Sequence, residues 1–397
     1  MAGRTRISQA AVAALCLLLA ALVGCGGGPA VDAARAEVQS LLDRRAEAVL
    51  DRDAAAFART GTRDGFDNLR AVPLADWSYR LTALDRTGDH ATAAADLSYR
   101  VDGHDRSPVV TARTLSLSRD RDGHWSVESD RPAEKSGQQL WDQGRAQAVR
   151  GEHSLVLGVG QSEETLRDYA ALADRAVPAV SDAWRSAWDR GVVVLVPETL
   201  EDMAGLLGSP PSSYRGIAAV TTGATGGGPR APADRVIVNP DAFGLLGDSG
   251  RQVVLTHETA HVATRAHTSA ATPLWLSEGY ADWVGYRGSG RTAAEAAPEL
   301  AHAVGRGEVP DALPEDGDFG FTGDAEGLAR AYEGSWLACR MIAERWGEEK
   351  LGEFYRAVGA HEGREGAVED AMGRVLGVTP EEFTLRWRDF VRGALAE

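Results

Sequence analysis

At 397 residues and 44% hydrophobic side chains, the chain is long enough for two domains of ordinary size with packed cores. Its formal charge of −16 argues against nucleic acid as a partner and against binding anionic lipid through a basic surface.

The first predicted element is a targeting segment. Arg4 and Arg6 precede a mostly apolar run, Ile7 to Val23, and Leu22-Val23-Gly24-Cys25 resembles the lipobox of bacterial lipoproteins. Residues 1–24 are therefore expected to be a signal peptide, and 25–30 a glycine-rich tether. Lipid on Cys25 would hold the mature chain to the outer, extracytoplasmic face of a cell membrane. Loss of Arg4 and Arg6 would take the charge from −16 to −18. Of 42 basic residues only Lys135 and Lys350 are lysines, a bias that fits the coding of a GC-rich bacterium. Cys16 would leave with the signal, so Cys339 is the one unmodified thiol and no internal disulfide is available.

Val31 to Thr60 reads as a helix, with Val38, Leu41, Leu42, Val49 and Phe57 at helical spacing. Alternating segments around Trp77–Leu81, Leu97–Val101, Thr114–Leu117 and Trp125–Val127 follow. Turn residues at Thr87-Gly88-Asp89, Asp102-Gly103 and Asp122-Gly123 separate them. A helix and a curved antiparallel sheet, cone-like, are expected over 31–131, as a spacer or binding domain. His90, His104 and His124 fall in or beside the turns and read as solvated surface. Residues 132–150 read as a polar connector.

The second domain, 151–397, opens with a strand at Ser154–Val159, a helix near Glu163–Trp188 and a buried strand at Val192–Val196. Strands at Gly216–Thr222 and Arg235–Val238 follow. Gly226-Gly227-Gly228-Pro229, between the last two, lacks a P-loop lysine and reads as a loop over the site. From Leu328 onward the pattern is helical, and Thr379-Pro380-Glu381-Glu382 is a capping box with proline at the first helical position.

The chemistry concentrates in His257-Glu258-Thr259-Ala260-His261. Positions four apart share a helix face, so His257 and His261 can point at one metal ion, with Glu258 beside it as a base. Sixteen residues lie between His261 and Glu278, room for a loop and a second helix. Thr272-Pro273 is expected to start that helix as N-cap and first residue. Glu278 then offers a third ligand. Asp282, four residues on, is placed to accept the other ring N–H of a ligand histidine.

These residues resemble the gluzincin zinc metallopeptidases, the group with thermolysin-like and aminopeptidase-like members, and most closely the small peptidase MA-like domains. His257, Glu258 and His261 match the first signature, and Trp275-Leu276-Ser277-Glu278-Gly279-Tyr280-Ala281 is similar to the segment that carries the third ligand. Tyr332-Glu333-Gly334-Ser335 is similar to a segment whose tyrosine donates to the tetrahedral intermediate. The resemblance implies an α+β fold for 151–397, with a small mixed sheet, a zinc-binding helix pair and a C-terminal helical subdomain. It also implies a substrate that lies along an edge strand upstream of the zinc helix. One Zn2+ ion held by His257, His261 and Glu278 would lower the pKa of a water towards about 7, with Glu258 as general base on a peptide or protein substrate. Tyr332 would stabilise the oxyanion, with Tyr280, Tyr286 and the loop residue His267 as competitors. The ligand gap is slightly shorter than in the aminopeptidase branch and no G-x-M-E-N segment lies upstream, so the resemblance carries the metal chemistry and not aminopeptidase specificity. A non-catalytic or gated gluzincin-like binding lipoprotein is the alternative.

Overall fold

Val38, Leu41, Leu42 and Val49 lay helix α1 (Pro29–Leu50) face down on a sheet in the computed structural model, which describes residues 29–223, 231–320 and 324–396. The helix stops at Leu50, short of the expected Thr60. Arg52 takes a left-handed φ of 55°, and the Asp53 carboxylate accepts the N–H groups of Ala55 and Ala56 to start a separate turn, Ala54–Ala58. Phe57 is buried all the same.

The alternating segments form β1 (Leu74–Thr87), β2 (His90–Val101), β3 (Val109–Arg119) and β4 (Trp125–Pro132), an antiparallel meander in that order. Register shifts between Leu81 and Ala83 on β1 and between Ser116 and Leu117 on β3 bend it. Trp77, Tyr79, Leu97, Leu115 and Leu117 point inward against α1. His90 and His124 are exposed; His104 is half-buried.

Segment 132–150, expected as a polar connector, is built into both halves of the molecule. Trp141, in the short turn Leu140–Gln143, lies 5.5 Å from Trp77 and 4.9 Å from Tyr99 between ring centroids. β5 (Gln147–Arg150) then pairs antiparallel with β6 (Ser154–Gly158). Two large apolar residues in a polar run carry no period, yet burying them anchors the segment.

The second sheet is mixed, in the order β5-β6-β7-β9-β8, with β7 (Val192–Val196), β8 (Ala219–Thr222) and β9 (Arg235–Val238). β6, β7 and β9 run parallel, and β8 closes one edge antiparallel to β9. Helix α2 (Glu163–Trp184) covers the sheet through Leu166, Ala170, Ala173 and Val177. It ends before the expected Trp188, because Arg185 turns left-handed and its N–H returns to the Ser181 carbonyl. Helices α3 (Asp248–Thr264) and α4 (Leu274–Tyr286) follow as a packed pair. The remainder is helical: α5 (Pro298–Gly305), α6 (Ala325–Trp346), α7 (Glu348–Gly359) and α8 (Pro380–Leu395), with the expected capping box at Thr379 and Glu382. Cys339 is fully buried on α6. No helix among the described residues is long and apolar enough to cross a membrane. Cys25 and the Gly226–Pro229 run lie outside the described residues.

Candidate metal centre

Glycine brings the helices together. A Cβ on Gly285 of α4 would stand 3.1 Å from the Val253 carbonyl oxygen of α3, and one on Gly279 only 2.3 Å from the Ser335 carbonyl oxygen of α6. With hydrogen in those places, α4 lies close enough to both neighbours for its polar face to meet theirs. Helix α4 starts one residue later than expected. Pro273 occupies the N-cap position without a side-chain cap, and Thr272 instead accepts the Ser269 N–H. The first N–H of the helix, from Leu274, is taken by Asp316 from a distant turn, a partner that local sequence does not reveal.

Between α3 and α4 the ligand atoms of His257, His261 and Glu278 converge. The two Nε2 atoms are 3.0 Å apart, and the Glu278 Oε2 lies 3.4 Å from one and 3.5 Å from the other. A tetrahedral ion with bonds of about 2.0–2.1 Å requires ligand separations of about 3.3–3.4 Å, so the triangle fits zinc. The His257 Nδ1 lies 2.7 Å from the Asp282 Oδ1, which places its proton on that side and turns the Nε2 lone pair to the centre. Burial works against charge on His257, but Asp282 and Glu278 outweigh it and push the imidazole pKa up. Burial likewise opposes a charged Glu278, yet the two histidines hold that carboxyl below the usual range. The Glu278 carboxylate, which attracts charge on the two imidazoles, would attract a cation held between the three ligand atoms in the same way.

The centre opens on a cavity of about 1130 Å³ lined by β8, α3, α4 and α6. Glu258 faces it while 6% exposed, and its Oε2 accepts the Thr221 hydroxyl at 2.6 Å. Thr221 belongs to edge strand β8 and was not expected from the sequence. Nothing in 37 residues of separation marks the pair; the sheet topology makes it.

The tyrosines separate by position. Tyr332 lines the cavity, edge-on to Phe319 at 5.2 Å, and its hydroxyl makes no hydrogen bond among the described residues. Burial, then the charges of Glu278, Asp282 and Glu258, push its phenol upward, so it stays a donor. Tyr286 also lines the cavity and is pushed up to about 12 by burial and Asp282. Tyr280 is core, 1% exposed among Trp184, Trp283 and Tyr355. His267 is not a lining residue; its ring packs on Trp184, and burial lowers its pKa. Next to Tyr332, Glu333 accepts the first N–H groups of α5, from Glu299 and Leu300, and burial pushes its carboxyl up to about 7.

No protein-family model matches the sequence, and no curated protein does. Among solved structures, the M1 zinc metallopeptidase from Deinococcus radiodurans aligns over 82% of this chain and 61% of its own, at 18% identity and a TM-score of 0.34. A two-domain M1 zinc metallopeptidase mutant bound to L-arginine aligns over 82% of this chain and 95% of its own, at 12% identity and a TM-score of 0.36. The chain thus spans less than two thirds of the first of these proteins. The likeness is loose, and what the site can do follows from its own geometry.

Proposed function

We propose that the chain is a zinc-dependent peptidase, held by lipid on Cys25 at the extracytoplasmic face of a cell membrane. The convergence of three acceptors at 3.0–3.5 Å, with the His257 tautomer fixed by Asp282, carries this reading. When bound, zinc supplies a Lewis acid that polarises a carbonyl and acidifies water. Glu258, beside the centre and held by Thr221, accepts the proton of the attacking water and returns it to the leaving amine. Tyr332 donates to the oxygen on which charge develops. β8 is the outermost strand of its sheet, and an extended peptide would lie along its outer edge.

Metal analysis and peptide cleavage on three chains test the assignment. Glu278→Ala is expected to lose zinc; Glu258→Gln is expected to keep it and lose turnover. Equal zinc loss in both variants overturns the roles. Zinc without cleavage of any peptide by the native chain would support a binding protein instead. The lipid anchor rests on Leu22-Val23-Gly24-Cys25. Palmitate labelling should disappear in Cys25→Ser, and labelling that persists would refute it.

A further inference from the structure

Arg265 stands one helical turn beyond His261, on the same face, and lines the same cavity. Resting on the peptidase reading, we propose that it forms a subsite for a substrate carboxylate, one or two residues from the scissile bond. That carboxylate is either the C-terminal α-carboxylate or an Asp or Glu side chain.

The orientation of the guanidinium supports the assignment. Its Nε donates to the Asp234 Oδ2 at 2.7 Å, and the Asp234 side chain is 6% exposed, so the fork is held from behind by a buried acceptor. The backbone of Gly223 closes over the pair, since a Cβ there would stand 1.7 Å from the Asp234 Oδ1 and 3.1 Å from the Arg265 Nε. The side left open, among the described residues, is the one that lines the cavity. Among the described residues the two terminal nitrogens of Arg265 make no hydrogen bond, although the side chain is only 18% exposed. A planar fork fixed at one nitrogen, with two more donors free, suits bidentate binding of a carboxylate.

Among the described residues Asp234 is the one carboxylate within ion-pair distance of Arg265, and it engages the Nε alone. The neighbouring lining residues Ser269 and Thr272 are neutral and use their oxygens to accept the Ala271 and Ser269 N–H groups. The lining acid Glu295 follows the C-terminus of α4. That end of the helix pair lies beside Val253, away from Arg265. Four residues of helix rise about 6 Å from His261. An extended peptide advances about 3.3–3.6 Å per residue, which sets the stated range.

Binding is measured by calorimetry on the full chain carrying Glu258→Gln, as purified and after chelation, so that neither turnover nor metal is needed. One probe pair is N-acetyl-Ala-Ala-Ala as acid and as amide. The other is N-acetyl-Ala-Glu-Ala amide and its glutamine counterpart. The carboxylate member of at least one pair should bind about tenfold tighter than its neutral twin, and which pair does so identifies the source. Adding Arg265→Met should bring that ratio near one. Arg265→Lys keeps a cation opposite Asp234, and with it the fold, and should lower the ratio at least about threefold. An unchanged ratio in either variant, or no preference with Arg265 intact, overturns the subsite. Absence of turnover in the native chain with the ratios intact would sink the peptidase reading and leave the subsite standing.

Discussion

Tyr332 and Tyr286 both face the cavity, and the charges around them distinguish their roles. Tyr332 feels Glu278, Asp282 and Glu258 together, whereas of these Tyr286 feels Asp282 alone. Of the two, Tyr332 is the phenol that all three carboxylates raise, which is the ground for proposing it as the oxyanion donor. Tyr332→Phe keeps the ring against Phe319 and removes one donor that acts only as charge develops. Both kcat and kcat/KM should fall about 10²–10³-fold, or roughly 3–4 kcal/mol, with zinc content and Tm unchanged. Near-normal turnover in this variant, with a slow Tyr286→Phe, would move the role to Tyr286. At this scale the sequence was informative wherever function repeats with the helix. His257 and His261, then Glu278 and Asp282, are each four apart; three of them converge and Asp282 backs the His257 ring. Thr221 and the Asp234–Arg265 pair could not be read, because strand and helix bring them together across 37 and 31 residues. No local period encodes such a meeting.

The same division holds for whole elements. Strands with a clean alternation and helices with a sustained apolar stripe stand close to where their patterns put them: β1 to β4, β7, β9 and the C-terminal helices. Elements whose ends are set by distant partners do not. Thr272 looked like a cap, but the N–H it would have served belongs to Asp316, and Thr272 turns to its own loop. Trp141 turned an apparent connector into part of the first core by stacking among Trp77 and Tyr99. Gly279 and Gly285 show a third kind of hidden constraint. In a helix each costs about 1 kcal/mol against alanine, and the compensation lies in the close approach of α6 and α3 that only hydrogen permits. Helix α4 is therefore located by its neighbours' backbones, which is what holds Glu278 and Asp282 opposite the two histidines.

Across the whole molecule the first sheet reaches the site through Asp105. This residue lies in the turn after β2 with its side chain fully buried. It accepts the Val101 N–H at 2.7 Å, the Ala233 N–H at 3.0 Å and the Arg235 Nη2 at 2.7 Å. Ala233 and Arg235 flank Asp234, which holds Arg265. Arg235 also begins β9, the partner of β8, which holds Glu258 through Thr221. A loop of the first unit thus fixes the strand that positions two cavity side chains, a closer tie than a spacer needs. Arg106 and Asp189 add an ion pair across the same junction, but both are exposed and screened, so the energy resides in Asp105. Asp105→Ala would remove the acceptor of the Arg235 Nη2 and of the Val101 and Ala233 N–H groups, at a cost of about 3–5 kcal/mol. Amide exchange should quicken over residues 233–238 and 219–222, while residues 84–87 and 90–93, at the opposite end of the β1–β2 hairpin from Asp105, keep their protection. Peptide cleavage should weaken with zinc content unchanged. If exchange in those strands is unaltered, the first unit is a spacer and the site is built by the second unit alone.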